Sequence, residues 1–179
     1  MRIISGSARG LRLESLDGLS TRPTLDRVKE SIFNMLFDSV TDATVLDLFA
    51  GSGALGIESL SRNAEKCTFV DSNKDAVEII KKNISKASFD DKSEIFFGDY
   101  SKYISVCKEK FDIVFIDPPY MEGLTEDALD KLYNADVLND DCIIIIESDK
   151  NFKPHINSNF KIIKDKNYGR VNVCLLEVV

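Results

Sequence analysis

The chain has 179 residues, 44% hydrophobic and 30% charged, a size and mix that suit one compact domain with its own core. Its net charge of −7 excludes a broad, non-specific grip on nucleic acid, which is built from Lys and Arg on phosphates. Apolar runs such as Ile143 to Ile146 fall far below a membrane span, no basic-then-apolar leader opens the chain, and Cys67, Cys107, Cys142 and Cys174 lie at least 32 residues apart. A cytoplasmic protein with buried free thiols, no disulfide framework and no metal centre is expected.

The charge is unevenly spread. The first 30 residues carry Arg2, Arg9, Arg12, Arg22, Arg27 and Lys29 against four acids, so the N-terminus is the basic end. Loose alternation around Gly6 and Gly10 suggests a short β-hairpin there. Thr24 can cap the helix that follows, with Pro23 just outside it and Leu25, Val28, Ile32 and Leu36 at helical spacing up to about Val40.

From residue 44 strands and helices alternate. Strands are expected at Thr44–Phe49, Lys66–Asp71, Glu94–Gly98 and Phe111–Asp117, and helices at Leu55–Ser61, Lys74–Lys86 and Ser101–Lys108. A helix at Glu126–Tyr133 then precedes a buried strand, Cys142–Ser148. The tail, Phe160–Lys164 and Arg170–Val179 around Tyr168-Gly169, reads as an antiparallel pair. The βαβα run implies an α/β fold: a seven-stranded, mostly parallel sheet with helices on both faces, ending in an antiparallel hairpin. One domain, 1–179, is expected, with residues 1–40 as an extension of a Rossmann-like core at 41–179.

Asp47-Leu48-Phe49-Ala50-Gly51-Ser52-Gly53-Ala54-Leu55-Gly56 places G-x-G-x-x-G between a predicted strand and helix, the context in which glycines bring backbone close to a ligand. Asp71, with Ser72 beside it, ends the next strand and suits ribose hydroxyls of an adenosine-containing cofactor. These features alone do not separate NAD from S-adenosylmethionine. Two more favour the latter: Asp47 lies inside the strand, where a buried charge needs a partner, and Asp99-Tyr100 closes the third strand within reach of an adenine. The candidate cofactor residues are therefore Asp47, Phe49, Gly51, Ser52, Gly53, Asp71, Ser72, Asp99 and Tyr100.

Asp117-Pro118-Pro119-Tyr120 closes the fourth strand. Two prolines fix the backbone, so a carboxylate and a proline carbonyl become neighbouring acceptors that can hold both hydrogens of an exocyclic NH₂, while Tyr120 stacks on the base. If the first and fourth strands are neighbours, Gly51 and Asp117 meet at one crevice beyond the strand ends. His155, the single histidine, reads as a surface residue, and no triad or metal cluster competes.

With these motifs in place the chain resembles the bacterial small-subunit rRNA guanine-N2 methyltransferases of the RsmD type, nearly end to end. The most specific matches are Arg2-Ile3-Ile4-Ser5-Gly6, Arg9-Gly10, Thr21-Arg22-Pro23-Thr24, Asp26-Arg27-Val28-Lys29-Glu30 and Phe33-Asn34. Val45 to Gly56 and Asp117 to Tyr120 match too, but are shared with many relatives. The resemblance implies a class I methyltransferase fold that uses S-adenosylmethionine, with Asp117, Pro118, Pro119 and Tyr120 at a guanine N2. It also implies that Arg2, Arg9, Arg12, Arg22, Thr24 and Arg27 grip 16S rRNA or the assembling small subunit, and a monomer is expected. The catalytic motif itself leaves N6 of adenine open. A protein glutamine amide is disfavoured by the leading Asp, a nicotinamide-dependent dehydrogenase would leave Pro118-Pro119 idle, and a non-catalytic RNA-binding module remains the alternative from another class.

Overall fold

The computed structural model describes residues 1–16, 23–119, 123–151 and 153–179, with the side chains of 23–25 left aside. Expectations that fall on Arg22 and Tyr120, and on the side chain of Thr24, lie outside the described residues.

The elements are α1 (Pro23–Leu36), β1 (Thr44–Asp47), α2 (Ala54–Ser61), β2 (Lys66–Asp71), α3 (Lys74–Ala87), β3 (Ser93–Phe97), α4 (Tyr100–Val106), β4 (Phe111–Ile116), α5 (Leu124–Asn134), β5 (Leu138–Asp149), β6 (Phe160–Tyr168) and β7 (Val171–Val178). The seven strands form one sheet in the order β3-β2-β1-β4-β5-β7-β6. β1 to β5 run parallel and β7 inserts antiparallel between β5 and β6. The expected seven-stranded α/β architecture is therefore present, and β1 and β4 are neighbours.

Side-chain alternation sorts the sheet into two cores. Val45, Phe69, Ile113, Phe115, Ile145 and Val173 pack beneath α1, α2 and α3. Leu46, Val70, Val114, Ile116, Ile144 and Ile146 pack against α4 and α5 on the other face. Parallel strands buried on both faces read as continuous apolar runs, which is why Ile143–Ile146 shows no alternation.

Several local expectations need correction. Pro23 is the first residue of α1 and not a flanking one, so Thr24 is inside the helix and is not its cap; Pro fits there because its missing N–H has no intrahelical partner at that position. The helix stops at Leu36, and Phe37–Val40 continues as a 3₁₀ turn. Cys107 is half-buried at the end of α4, unlike the buried Cys67, Cys142 and Cys174. The first tail strand, β6, runs on past the expected Lys164 to Tyr168, β7 falls one residue short of the expected strand at each end, and their turn lies at Gly169-Arg170.

The N-terminal hairpin is minimal. One antiparallel bridge, Arg2 to Arg12, holds it, with Ile3 N–H donating to the Leu11 carbonyl at 2.9 Å. A two-strand ribbon this short cannot stand alone, and it is fastened to α2. Glu58, fully buried, accepts the backbone N–H of Ile4 at 2.8 Å and of Ser5 at 3.0 Å, Lys29 Nζ at 3.0 Å and Arg62 Nε at 2.9 Å. The Arg62 guanidinium lies 4.7 Å over the Phe33 ring, which itself packs 5.9 Å from Phe115. Lys29 is thus a buried structural cation: it also donates to the Arg2 carbonyl at 2.6 Å, and burial pulls its pKa down against the pull of Glu58. It contributes nothing to the basic surface that its charge suggests in the sequence.

Candidate active site

The first wall of the site is the turn from β1 into α2. Gly51 (φ +56°) and Gly53 (φ +76°) both take left-handed backbone, which side chains resist, and a Cβ added at Gly51 would meet only open space. The turn is braced from two sides. Gly51 N–H donates to Asp71 Oδ2 at 2.8 Å, and the Ser52 carbonyl accepts Asn83 Nδ2 at 2.9 Å.

Asp71 ends β2 as expected. Its other oxygen accepts Asn73 N–H at 2.8 Å, so it locks the turn and keeps lone pairs for a ligand. Ser72 beside it is exposed. Asp47 is buried at 2% exposure and finds its partner inside the chain: Oδ2 accepts Gly56 N–H at 3.0 Å. The buried carboxyl that the sequence flagged as needing a partner thus has one within the chain. Burial chiefly, helped by the charges of Asp117 and Asp71, raises its pKa to about 7 against the pull of the Gly56 bond.

Asp99 caps α4, taking Ser101 N–H at 2.8 Å, and its bonds to Ser101 hold its carboxyl below the usual range. It stays exposed at the crevice rim. Tyr100 donates to Asp127 Oδ2 at 2.5 Å, and its ring lies 5.0 Å from that of Phe49, giving the crevice an aromatic wall.

Asp117, Pro118 and Pro119 follow β4 directly. The register Asp47 to Phe115 and Leu48 N–H to the Phe115 carbonyl at 3.1 Å bring the strand end level with the glycine turn. The two motifs, 66 residues apart in sequence, therefore share one edge of the sheet. Solvent reaches Asp117 from the open side, while the strand ends behind it desolvate its carboxyl and raise the pKa to about 7.

Two residues at the site escaped the sequence reading. Asn83 is buried on α3 and joins both ends of the system: Oδ1 accepts Glu14 N–H at 2.8 Å, and Nδ2 donates to the Glu14 carbonyl at 3.0 Å as well as to Ser52. Its signal was a polar residue on the apolar stripe between Ile80 and Ile84. Glu147 is the second. It follows the isoleucine run of β5 as Asp117 follows the apolar run of β4, and burial with the charge of Asp117 raises its pKa well above normal.

Of the candidate RNA contacts, Arg2, Arg9, Arg12 and Arg27 are exposed. Arg2 reaches Asp26 at 3.5 Å. Arg9 lines a groove of about 490 Å³ between the hairpin and the end of α3, with Leu11, Lys86, Ser88 and Phe89. Lys29 of α1 meets Glu58 of α2 and Phe33 meets Arg62, so the two helices run alongside in the same direction and the start of α1, with Arg27, lies toward the glycine-turn end of α2. Among the described residues no group of His, Cys, Asp or Glu is arranged to hold a metal, and no helix is long and apolar enough to cross a membrane.

Comparison with known proteins gives a consistent result. Residues 1–177 match the family model described as conserved hypothetical protein 95. The ribosomal RNA small subunit methyltransferase D of Haemophilus influenzae is 36% identical over 99% of this chain and 93% of its own length. The Escherichia coli protein of the same name is 34% identical over 96% and 86%. The solved yhhF structure from Escherichia coli superposes with a TM-score of 0.90 at 35% identity, covering 99% of this chain and 97% of that one.

Proposed function

The chain belongs to the conserved hypothetical protein 95 family, and on that premise we propose that it is an S-adenosylmethionine-dependent methyltransferase acting on the exocyclic N2 amine of a guanine in small-subunit ribosomal RNA. The observation that carries this reading is the shared edge: a ligand-approaching glycine turn after β1 and Asp117-Pro118-Pro119 after the adjacent β4.

The residues suit the cofactor. Gly51 opens onto free space, Asp71 keeps acceptor capacity, and Phe49 and Tyr100 offer aromatic faces; Asp99 stands at the rim. S-adenosylmethionine supplies a methyl group made electrophilic by its sulfonium. The chain's part is to present the amine. Asp117 and the Pro118 carbonyl accept its two hydrogens, which turns the nitrogen lone pair toward the methyl donor. That lone pair is delocalised into the ring in free guanine, so acceptors that favour a pyramidal nitrogen act more on the transition state than on the ground state. As nitrogen bonds to the methyl carbon, that carbon's bond to sulfur would break to leave a neutral thioether, and Asp117, with its raised pKa, is placed to take the proton that the nitrogen sheds.

The base must leave its stack or be unpaired already to enter the crevice. With a net charge of −7 and exposed arginines gathered on the hairpin and α1, shape must share the recognition with charge, which favours an assembling small subunit over naked RNA. A single copy working in the cytoplasm fits this reading.

The test uses labelled S-adenosylmethionine with unmethylated small-subunit particles, naked rRNA and DNA in parallel, followed by nucleoside mass spectrometry. Wild type should yield N2-methylguanosine on the particle. Asp117→Ala should keep cofactor binding within about twofold and lose at least about 10²-fold in turnover. Near wild-type transfer by that variant would sink the assignment.

A further inference from the structure

Asp117-Pro118-Pro119 presents acceptors to an amine but does not distinguish guanine from adenine. In both bases the reactive amine is flanked by N1. In guanine N1 carries a hydrogen and is a donor; in adenine it carries a lone pair and is an acceptor. A carboxylate beside the amine-binding group would therefore attract one base and repel the other.

The structure holds such a carboxylate. β4 and β5 are parallel neighbours in the register Phe115 to Ile145 and Ile116 to Ile146. Carrying that register one residue past the end of β4 sets Asp117 opposite Glu147, and the charge of Asp117 does act on Glu147. Adjacent strands lie about 4.8 Å apart, so the two carboxylates leave the sheet edge as a pair. They share a face, because Phe115 and Ile145, two residues earlier on each strand, both pack beneath α1 and α2. Neither side chain makes a hydrogen bond or ion pair with another described residue, and Glu147 is strongly desolvated with Asp117 as the charge it feels. Glu147 is half-buried beside the exposed Asp117, and two neighbouring acids with no donor among the described residues suit a ligand that supplies one to each.

We propose that Glu147 is the specificity-determining residue of this site, accepting N1–H of the guanine whose N2 amine is held by Asp117. The inference rests on the amine-methylation reading above and adds to it the choice of base. Guanine brings N1–H and N2–H on one edge, a donor for each carboxylate. The N1–H of guanine favours the ionised, accepting form of Glu147 and offsets its desolvation, whereas adenine held through N6 would turn the N1 lone pair onto it and could be held only by the protonated acid.

The experiment compares wild type, Glu147→Gln and Glu147→Asp on two small-subunit particles, one with the native nucleotide that wild type methylates and one with adenine in its place. Products are resolved as N2-methylguanosine and N6-methyladenosine, and cofactor binding by calorimetry reports on folding. The glutamine amide can donate to adenine N1, so in Glu147→Gln the preference for guanine over adenine should narrow at least about tenfold, with cofactor Kd within about twofold. Glu147→Asp, which keeps the acceptor, should be slower yet hold the preference. A Glu147→Gln enzyme with wild-type guanine turnover and wild-type rejection of adenine would overturn the proposal. Absence of N2-methylguanosine with wild type itself would instead overturn the parent reading and this one together.

Discussion

At the scale of single residues, the crevice gathers acids that water would ordinarily ionise. Asp47 illustrates the cost. Its pKa in the folded protein is about 7, above the ordinary 3.8, so folding takes up a proton between those values. Stability from this group is complete below about pH 4 and is lost as pH rises through about 7, by up to about 4 kcal/mol. Asp47→Asn keeps an acceptor for Gly56 N–H and removes the titration. Denaturant melts from pH 4 to 8 should show a flatter stability profile for the variant than for wild type, and parallel profiles would refute the shift. Asp47 could be flagged from the sequence as a charge inside a strand, but its partner could not. Gly56 N–H reaches it only after the turn has folded back to start α2, nine residues on.

At the scale of elements, the N-terminal hairpin and α2 hold each other. Glu58 satisfies two backbone donors and two cations at once, which offsets the cost of burying its charge. Glu58→Ala leaves the Lys29 ammonium buried without its counter-charge. Urea unfolding should register a loss of about 3–5 kcal/mol, and limited proteolysis should cut ahead of α1. Asn83 acts between elements in a similar way, tying the Glu14 backbone to the Ser52 carbonyl. Asn83→Ala should cost about 2–3 kcal/mol and raise the Kd for S-adenosylmethionine several-fold, measured by calorimetry. An unchanged Kd would mean that the glycine turn does not need this brace. The boundaries of α2, β2, α3, β3, α4 and β4 were legible within one or two residues because apolar spacing and turn residues agree there. Those of β5 and β6 were not: their extensions, Leu138–Asp141 and Asp165–Tyr168, are polar-rich and owe their strand form to β4 and β7 alongside.

For the whole molecule, charge is the quantity that the sequence states and the fold redistributes. Lys29 leaves the surface, while Arg9, Arg12 and Arg27 remain on it. Association with small-subunit particles should therefore be salt-sensitive with a shallow slope. Arg9→Ala with Arg12→Ala should reduce the slope of log K against log salt by about 0.7–0.9 for each phosphate that these side chains neutralise, without changing the methylated nucleoside. A double variant with the wild-type slope would remove the hairpin from the RNA interface.

The sequence by itself determined the alternation of strands and helices, the glycine turn, the strand-terminal Asp117-Pro118-Pro119 and the basic N-terminus, because each is written in residues that are close along the chain. Strand order, register and burial were decided by tertiary structure. Only the adjacency of β1 and β4 brings the glycine turn to Asp117, only the β4–β5 register sets Glu147 opposite it, and only burial converts Lys29 from a cation of the basic N-terminus into the partner of Glu58. The reason is physical: pairing between strands and the desolvation of a charge depend on neighbours dozens of residues away, and local composition carries no record of which neighbours those will be.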